Sequence, residues 1–452
     1  MKKRYFAFWY LCVSLVLCAA MGPPSACAQA TTPAPAMLRV ATFNVEDVRT
    51  ADLLTSDNPR LKQLAEVLQR IKPNIVLLNE IAYDMPGGPD VADDQTPGQN
   101  ATRFVKNYLA VSQAPGLEPL HMRAFMAPTN TGIPSGFDLN HDGKIVSTFP
   151  PDPGSSQTKA GRAYGGDCWG FGTFPGQYGM ALLIDEQLEF DPNAVRTFRL
   201  LPWDYMPGAF LPTDPKTGEP WYDKETLTYF RLSSKNHWDV PVTLPNGRVL
   251  HLLCSHPTPP AFDGPEMRNK KRNHDEIRFW ADYLDNAAYI VDDTNTPGGI
   301  ARGSAFVILG DLNADPDEGS SYKNPIQLLL AHPLIARPDD GPSDNAPDQD
   351  SPHAQDDADT SWIPMSDIPV HGLDPDDTAH FGLRVDYVLP WRNIEIVQSG
   401  IWREQPTGTQ ATRFPSDHFP VWADLRIPPP PQTSPRTPPR TPPTPTQKKT
   451  LR

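Results

Sequence analysis

Ile75-Val76-Leu77-Leu78-Asn79-Glu80-Ile81 sets four apolar residues in a row before an amide and a carboxylate. A run this short with no polar alternation is read as a strand buried on both faces, here spanning 74–81. Working outward, Leu61, Leu64, Ala65, Leu68 and Ile71 recur at helical spacing. That stripe predicts a helix capped by Ser56 or Asp57 and stopped by Pro73. Similar runs at 38–45, 178–184, 249–255, 305–309, 385–389 and 419–427 predict further strands, and 274–289 a second helix with Ile277, Trp280, Ala281 and Leu284 inward. Strands interleaved with helices and no repeat period indicate an α/β domain with central sheets and outer helices. The Pro-, Gly- and Asp-rich intervals 84–177, 202–247 and 338–380 are expected to be surface insertions.

Composition bounds the rest. Proline numbers 54 of 452 residues, more than double the usual share of about 5%, which favours ordered loops over long helices. Lys2-Lys3-Arg4, an apolar stretch from Tyr5 to Met21 and two overlapping A-x-A sites in 26–30 read as a secretory signal peptide over 1–30, an uncleaved anchor being the alternative. A linker at 31–37 would lead into a domain at 38–427. Residues 428–452, with ten prolines, five basic residues and no acid, read as a polyproline-like disordered tail. Cleavage would leave Cys168 and Cys254, enough for one disulfide, although Cys254 lies in an apolar run and suits a buried small hydrophobe. No transmembrane segment is expected after cleavage. Of the 40 basic residues, three lie in 1–30 and five in 428–452, so residues 31–427 hold 32 against 54 acidic ones, a net charge of −22. Such a domain has no general field for polyanions, so a phosphate substrate would need a local site with cations.

Chemistry sits where the strands end. Asn44 and Glu46 alternate onto one face of Thr42-Phe43-Asn44-Val45-Glu46. Glu80 follows four apolar residues, where an unpartnered carboxylate is costly, so it is a metal-ligand candidate. His256 closes Leu253-Cys254-Ser255-His256-Pro257, Asp311 and Asn313 close Val307-Ile308-Leu309-Gly310-Asp311-Leu312-Asn313, Asp386 is embedded in Arg384-Val385-Asp386-Tyr387-Val388-Leu389, and Asp417 and His418 are adjacent before the last strand. Each alone has a plain alternative: an Asx turn at 311–313, a pairing of Asp386 with Arg384, a turn cap at Ser416-Asp417-His418. Asp138-Leu139-Asn140-His141-Asp142-Gly143 separately opens like a calcium loop, with Phe149 where the twelfth-position Glu would stand, so Asp138, Asn140 and Asp142 could hold a structural Ca²⁺.

TFNVE at 42–46, IVLLNEI at 75–81, GDLNA at 310–314, RVDYVLP at 384–390 and SDHFPV at 416–421, in this order, resemble the endonuclease/exonuclease/phosphatase superfamily of metal-dependent phosphoesterases, and SHPTPPAFDGPEMRN at 255–269 with RNHDEIRFWADYL at 272–284 resembles a secreted bacterial branch of it. The resemblance implies a four-layer α-β-β-α sandwich with the site at one rim. It assigns Glu80, Asn44 and Asp417 to a Mg²⁺ or Mn²⁺ ion, with Glu46 as a further candidate. Asp311 and Asn313 would align the attacking water and bind a phosphoryl oxygen, Asp386 would support His418 as general acid/base, and His256 would donate to the transition state. Asn79 stands where the family often has Gln. Glu46 stands where it often has Asp or Asn, which leaves one or two metals open. The function expected is a secreted phosphoesterase acting on nucleic acid, phospholipid or a small phosphate ester. The alternatives are a non-catalytic secreted binding module and a surface-associated protein acting through its tail.

Overall fold

A computed structural model of the chain describes residues 33–151, 153–154, 158–336, 373–407 and 413–431. The leader at 1–30, the tail beyond 431 and most of the third interval lie outside the described residues. Of two units, Met1–Pro33 and Ala34–Arg452, the second holds every element below. Twelve strands form two six-stranded mixed sheets: β1 (Ala36–Val48), β2 (Ile75–Ile81), β3 (Met122–Phe125), β4 (Met180–Asp185), β5 (Glu189–Phe190), β6 (Arg196–Thr197), β7 (His237–Thr243), β8 (Val249–Ser255), β9 (Ala305–Asp311), β10 (Asp386–Pro390), β11 (Glu395–Ile401) and β12 (Val421–Ile427). The first sheet runs β11-β12-β1-β2-β4-β3. The second runs β10-β9-β8-β7-β5, with β6 also on β7. β1 with β2 and β8 with β9 are parallel; the other pairs are antiparallel.

Alternation along each strand builds the layers. On β1 and β2, Leu38, Val40, Ile75 and Leu77 face the second sheet, where they join Val240, Leu252, Cys254 and Val307 in one core. The intervening Ala41, Phe43, Val76 and Leu78 bury against the helix Pro59–Ile71 through Leu61, Leu64, Ala65 and Leu68. Ile277, Trp280 and Tyr283 of the helix Arg268–Leu284 cover the far side of the second sheet. Both faces of each central strand are therefore dry, which explains the unbroken apolar runs.

Several expectations need correction. The first helix is capped by Asn58, whose side chain accepts from the Arg60 and Leu61 amides, with Pro59 at its first position; Ser56 and Asp57 lie outside it. The second helix starts six residues before 274 and ends at Leu284, just before Asn286 adopts a left-handed φ of 57°. The interval 202–247 is not a surface insertion throughout. It contains the whole of β7, and its Trp203 is fully buried. The interval 84–177 likewise supplies β3, an edge of the first sheet. Cys168 and Cys254 are both free and buried.

Candidate active site

The face that each sheet turns toward the other is apolar along its length and polar at one end. Asn44 continues the Leu38–Val40 side of β1 and Asn79 the Ile75–Leu77 side of β2. His256 continues the Leu252–Cys254 side of β8 and Asp311 the Val307–Leu309 side of β9, while Asp386 pairs directly with Asp311 across the β10–β9 ladder. Period-two alternation thus delivers five polar side chains to one rim between the sheets. Asn44 bridges them: its Nδ2 donates to Asp311 Oδ2 at 3.0 Å. Asn79 Oδ1 accepts from the Asp311 amide at 3.3 Å and from Thr42 Oγ1 at 3.2 Å. Gly310, at φ 149°, lets Asp311 sit this close, because a Cβ there would lie 1.9 Å from the Ser255 carbonyl oxygen.

Two imidazoles flank Asp311. His256 Nε2 lies 3.4 Å and His418 Nε2 3.8 Å from its Oδ2. His418 Nδ1 is 2.8 Å from Asp386 Oδ2, and the Thr378 hydroxyl receives the Val385 and Asp386 amides, fixing that strand start. Arg384 does not pair with Asp386; the carboxylate nearest it is that of Asp376, at 3.9 Å. The Ser416 hydroxyl donates to the Asn44 carbonyl at 2.7 Å and accepts from the His418 amide, tying the segment before β12 to the end of β1.

These groups pull one another's protonation apart. Burial opposes charge on His418, yet Asp386, then Asp311 and Asp417, raise its pKa well above the usual imidazole value. Burial also pushes Asp386 up, to about 6, with His418 opposing. Asp311 is held well below the carboxylate range by His418 and His256, against burial. Burial, then Lys235, pushes His256 down to about 4, so it is neutral. At neutral pH the rim therefore holds a cationic His418 between two carboxylates, with a neutral His256 beside them.

Glu80 lies next to this cluster in a left-handed conformation, φ 67°. That conformation breaks the strand's alternation and turns the side chain from the helix layer to the rim. Its Oε2 accepts from the Asp47 amide at 3.1 Å. Burial and the charge of Asp417 push it up to about 8, with Asp47 adding and His418 and Asn44 opposing. A half-buried carboxyl that would keep its proton at neutral pH, beside the charge of Asp417, is a donor set that fits a divalent cation. Glu46 differs from expectation. Its φ of 51° breaks the shared face with Asn44, and both its oxygens accept from Arg413 Nη2 at 2.8 Å. Among the described residues, the three ligand atoms that converge within 4.8 Å are on Asp311, Asp386 and His418. That set is the ion-paired cluster above, with His418 Nδ1 already bound to Asp386.

Asn313, at φ 52°, gives its amide N–H to Asp311 Oδ1 and its side-chain Nδ2 to the Pro257 carbonyl at 3.2 Å. Asp138, Asn140 and Asp142 are not brought to this rim. Asp138 accepts from the Asp142 and Gly143 amides, Asn140 from that of Asp142 and Asp142 from that of Lys144, while His141 stacks on Trp221 at 4.4 Å. Sequence reasoning missed Asp47, Thr378, Lys235 and Glu276. Lys235 stood in an interval read as surface, and its only clue was the Trp238, Val240, Val242 alternation that follows it.

The family model described as "Endonuclease/Exonuclease/phosphatase family" matches residues 41–418. No curated protein matches in sequence. Among solved structures, the endonuclease/exonuclease/phosphatase of Beutenbergia cavernae is 17% identical, covering 86% of this chain and 72% of that one, with a TM-score of 0.44. A Bacteroides thetaiotaomicron protein of the same family is 10% identical, covering 87% and 96%, with a TM-score of 0.40. D. rerio TDP2, complexed with single-strand DNA product, is 10% identical, covering 87% and 100%, with a TM-score of 0.42.

Proposed function

Since this chain belongs to the endonuclease/exonuclease/phosphatase family, hydrolases acting on phosphoester bonds, we propose that it is a secreted, divalent-metal-dependent phosphoesterase that cleaves its ester by in-line attack of water. The observation that carries this reading is the preassembled cluster of Asn44, Asp311, His256, Asp386 and His418, five residues from five chain segments meeting at one rim.

In this reading Glu80 and Asp417 hold Mg²⁺ or Mn²⁺, with Asn44 orienting the group beside them. Such an ion would neutralise charge developing on phosphoryl oxygens. Asp311, kept ionised, orients the attacking water and accepts its proton. His418 enters as the charged acid, held by Asp386 in one ring orientation, and passes its proton to the leaving oxygen. His256 turns Nε2 toward Asp311 at 3.4 Å, longer than a good hydrogen bond, so that donor is available to a phosphoryl oxygen. Asn313 stands ready beside it. Export through the leader and a structural Ca²⁺ in the loop of Asp138, Asn140 and Asp142 belong to the same proposal.

The test is hydrolysis of bis-p-nitrophenyl phosphate, p-nitrophenyl phosphate and plasmid DNA with Mg²⁺, Mn²⁺ and Ca²⁺ in turn. EDTA should abolish turnover, and Glu80→Gln should lower it by orders of magnitude. Full activity in EDTA would overturn the mechanism.

A further inference from the structure

The loop before β7 carries a lysine where lysines are rarely found. Lys235 is only 5% exposed, and among the described residues no carboxylate lies within ion-pair distance of its ammonium. One acceptor is spent on it: Nζ donates to the Pro257 carbonyl at 3.2 Å. An ammonium has three donors, so two remain for something else. The same carbonyl accepts from Asn313 Nδ2, also at 3.2 Å. Lys235 Nζ and Asn313 Nδ2 are thus neighbours on one oxygen, immediately after His256 in the chain. Burial lowers the lysine's pKa, while Glu276, then Glu80 and Asp311, favour its charged form, and the lysine in turn lowers His256, so it sits beside the rim on the second sheet.

The surroundings hold it there. Glu276, fully buried on the helix Arg268–Leu284, accepts from the Ser234 amide at 2.6 Å, the Ser234 hydroxyl at 2.9 Å and the Thr258 amide at 2.7 Å. One carboxylate therefore clamps the segment before Lys235 to the segment after His256. The Asn130 amide donates to the Lys235 carbonyl at 2.9 Å, and Gly170 packs so closely on Ser234 that a Cβ would lie 1.8 Å from its carbonyl oxygen. A desolvated cation held this firmly, with donors unspent, is the arrangement expected of a group aimed at a ligand's negative charge.

We propose that Lys235 is a catalytic residue of this site, its ammonium binding a non-bridging phosphoryl oxygen of the substrate beside Asn313 and His256. The proposal rests on the phosphoesterase reading and deepens it, by placing a fixed protein cation on the phosphoryl group in addition to the metal.

Lys235→Met keeps the chain's bulk and removes the charge; Lys235→Gln keeps a donor. In saturating Mg²⁺, both should lower kcat/KM by about a hundredfold or more. Both should also weaken inorganic phosphate, followed by its shift of the melting temperature, by tenfold or more. Lys235→Met should melt at or above the wild-type temperature, because a buried charge is being replaced by apolar bulk. Lys216→Met, at an exposed site, should change nothing. Wild-type turnover with undiminished turnover in Lys235→Met would overturn the proposal alone, as would a lowered melting temperature with unchanged phosphate affinity, or failure of both variants to fold. A wild-type protein that neither hydrolyses the esters nor responds to phosphate would overturn the phosphoesterase reading, and this proposal with it.

Discussion

At the scale of single residues, the contact on which the proposed proton chemistry rests is Asp386 Oδ2 to His418 Nδ1, 2.8 Å across 32 positions of sequence. Both residues were visible as strand-end polar groups. What the sequence could not say was which neighbour Asp386 would choose, since Arg384 stands two residues away. The ladder settles it: Asp386 is opposite Asp311 and therefore on the rim between the sheets, with His418 behind it. An isosteric Asp386→Asn should keep the fold while losing about two to four orders of magnitude in turnover, as when an orienting acid is removed from an acid/base pair. It should also move the pH–rate profile, because Asp386 is the largest influence raising His418. His418→Ala should be comparably damaging and the double variant scarcely worse, since residues acting as one unit are non-additive. Losses that multiply, measured as kcat for the four forms, would reduce Asp386 to a structural role.

Among elements, the apolar runs were legible and β7 was not. Its sequence, His237-Trp238-Asp239-Val240-Pro241-Val242-Thr243, does alternate, but it lies in the Pro-, Gly- and Asp-rich interval expected to be a surface insertion, and it carries a proline and two titratable residues. The structure shows why they are tolerated. Trp238, Val240 and Val242 face the first sheet, while His237 and Asp239 face the helix Arg268–Leu284 and spend their polar atoms on it, on β8 or on Ser233. Tyr283 donates to Asp239 Oδ2 at 2.5 Å, and His251 Nδ1 is 2.7 Å from Asp239 Oδ1. His237 Nε2 is 2.9 Å from the Glu276 carbonyl oxygen, which can only accept, so Nε2 carries the proton and Nδ1 accepts from Ser233 Oγ at 3.0 Å. Burial favours the neutral ring and lowers its pKa to about 4, with Glu276 opposing. An unfolded histidine takes up a proton below about 6.5. The stability His237 contributes is therefore present in full above that pH and is lost as pH falls toward 4, up to about 3 kcal/mol. Urea unfolding of wild type and His237→Gln from pH 7 to 4 should show the difference between them shrinking as the medium becomes acidic. A constant difference would mean that the ring titrates alike in both states.

For the whole molecule, charge sets what can approach the rim. Residues 31–427 carry a net −22, yet the reaction concerns an anion. The arginines beside Glu46 and Asp47, lining a cavity of about 440 Å³, are cancelled locally: Arg413 pairs with Glu46, Arg49 with Asp47, and Arg60 donates to the Val45 and Pro415 carbonyls. Lys235 is buried beneath the rim. The attraction for phosphate is thus short-ranged, supplied by groups at contact distance inside a repulsive far field. Salt should reveal this. Raising ionic strength from about 0.01 to 0.1 M shortens the screening length from about 30 to 10 Å, which weakens repulsion across the molecule while leaving contacts inside the site almost untouched. At fixed Mg²⁺, kcat/KM for a small anionic phosphate ester should therefore rise with KCl over that range, with kcat little changed. A protein that instead grips a nucleic-acid backbone through many lysines and arginines loses affinity steeply as salt rises, by about 10³–10⁵ between 50 and 200 mM for six to ten phosphate contacts. If cleavage of plasmid DNA fell along that steep line, a basic surface would have to be at work that the described residues do not display, and the small-ester reading of the far field would fail.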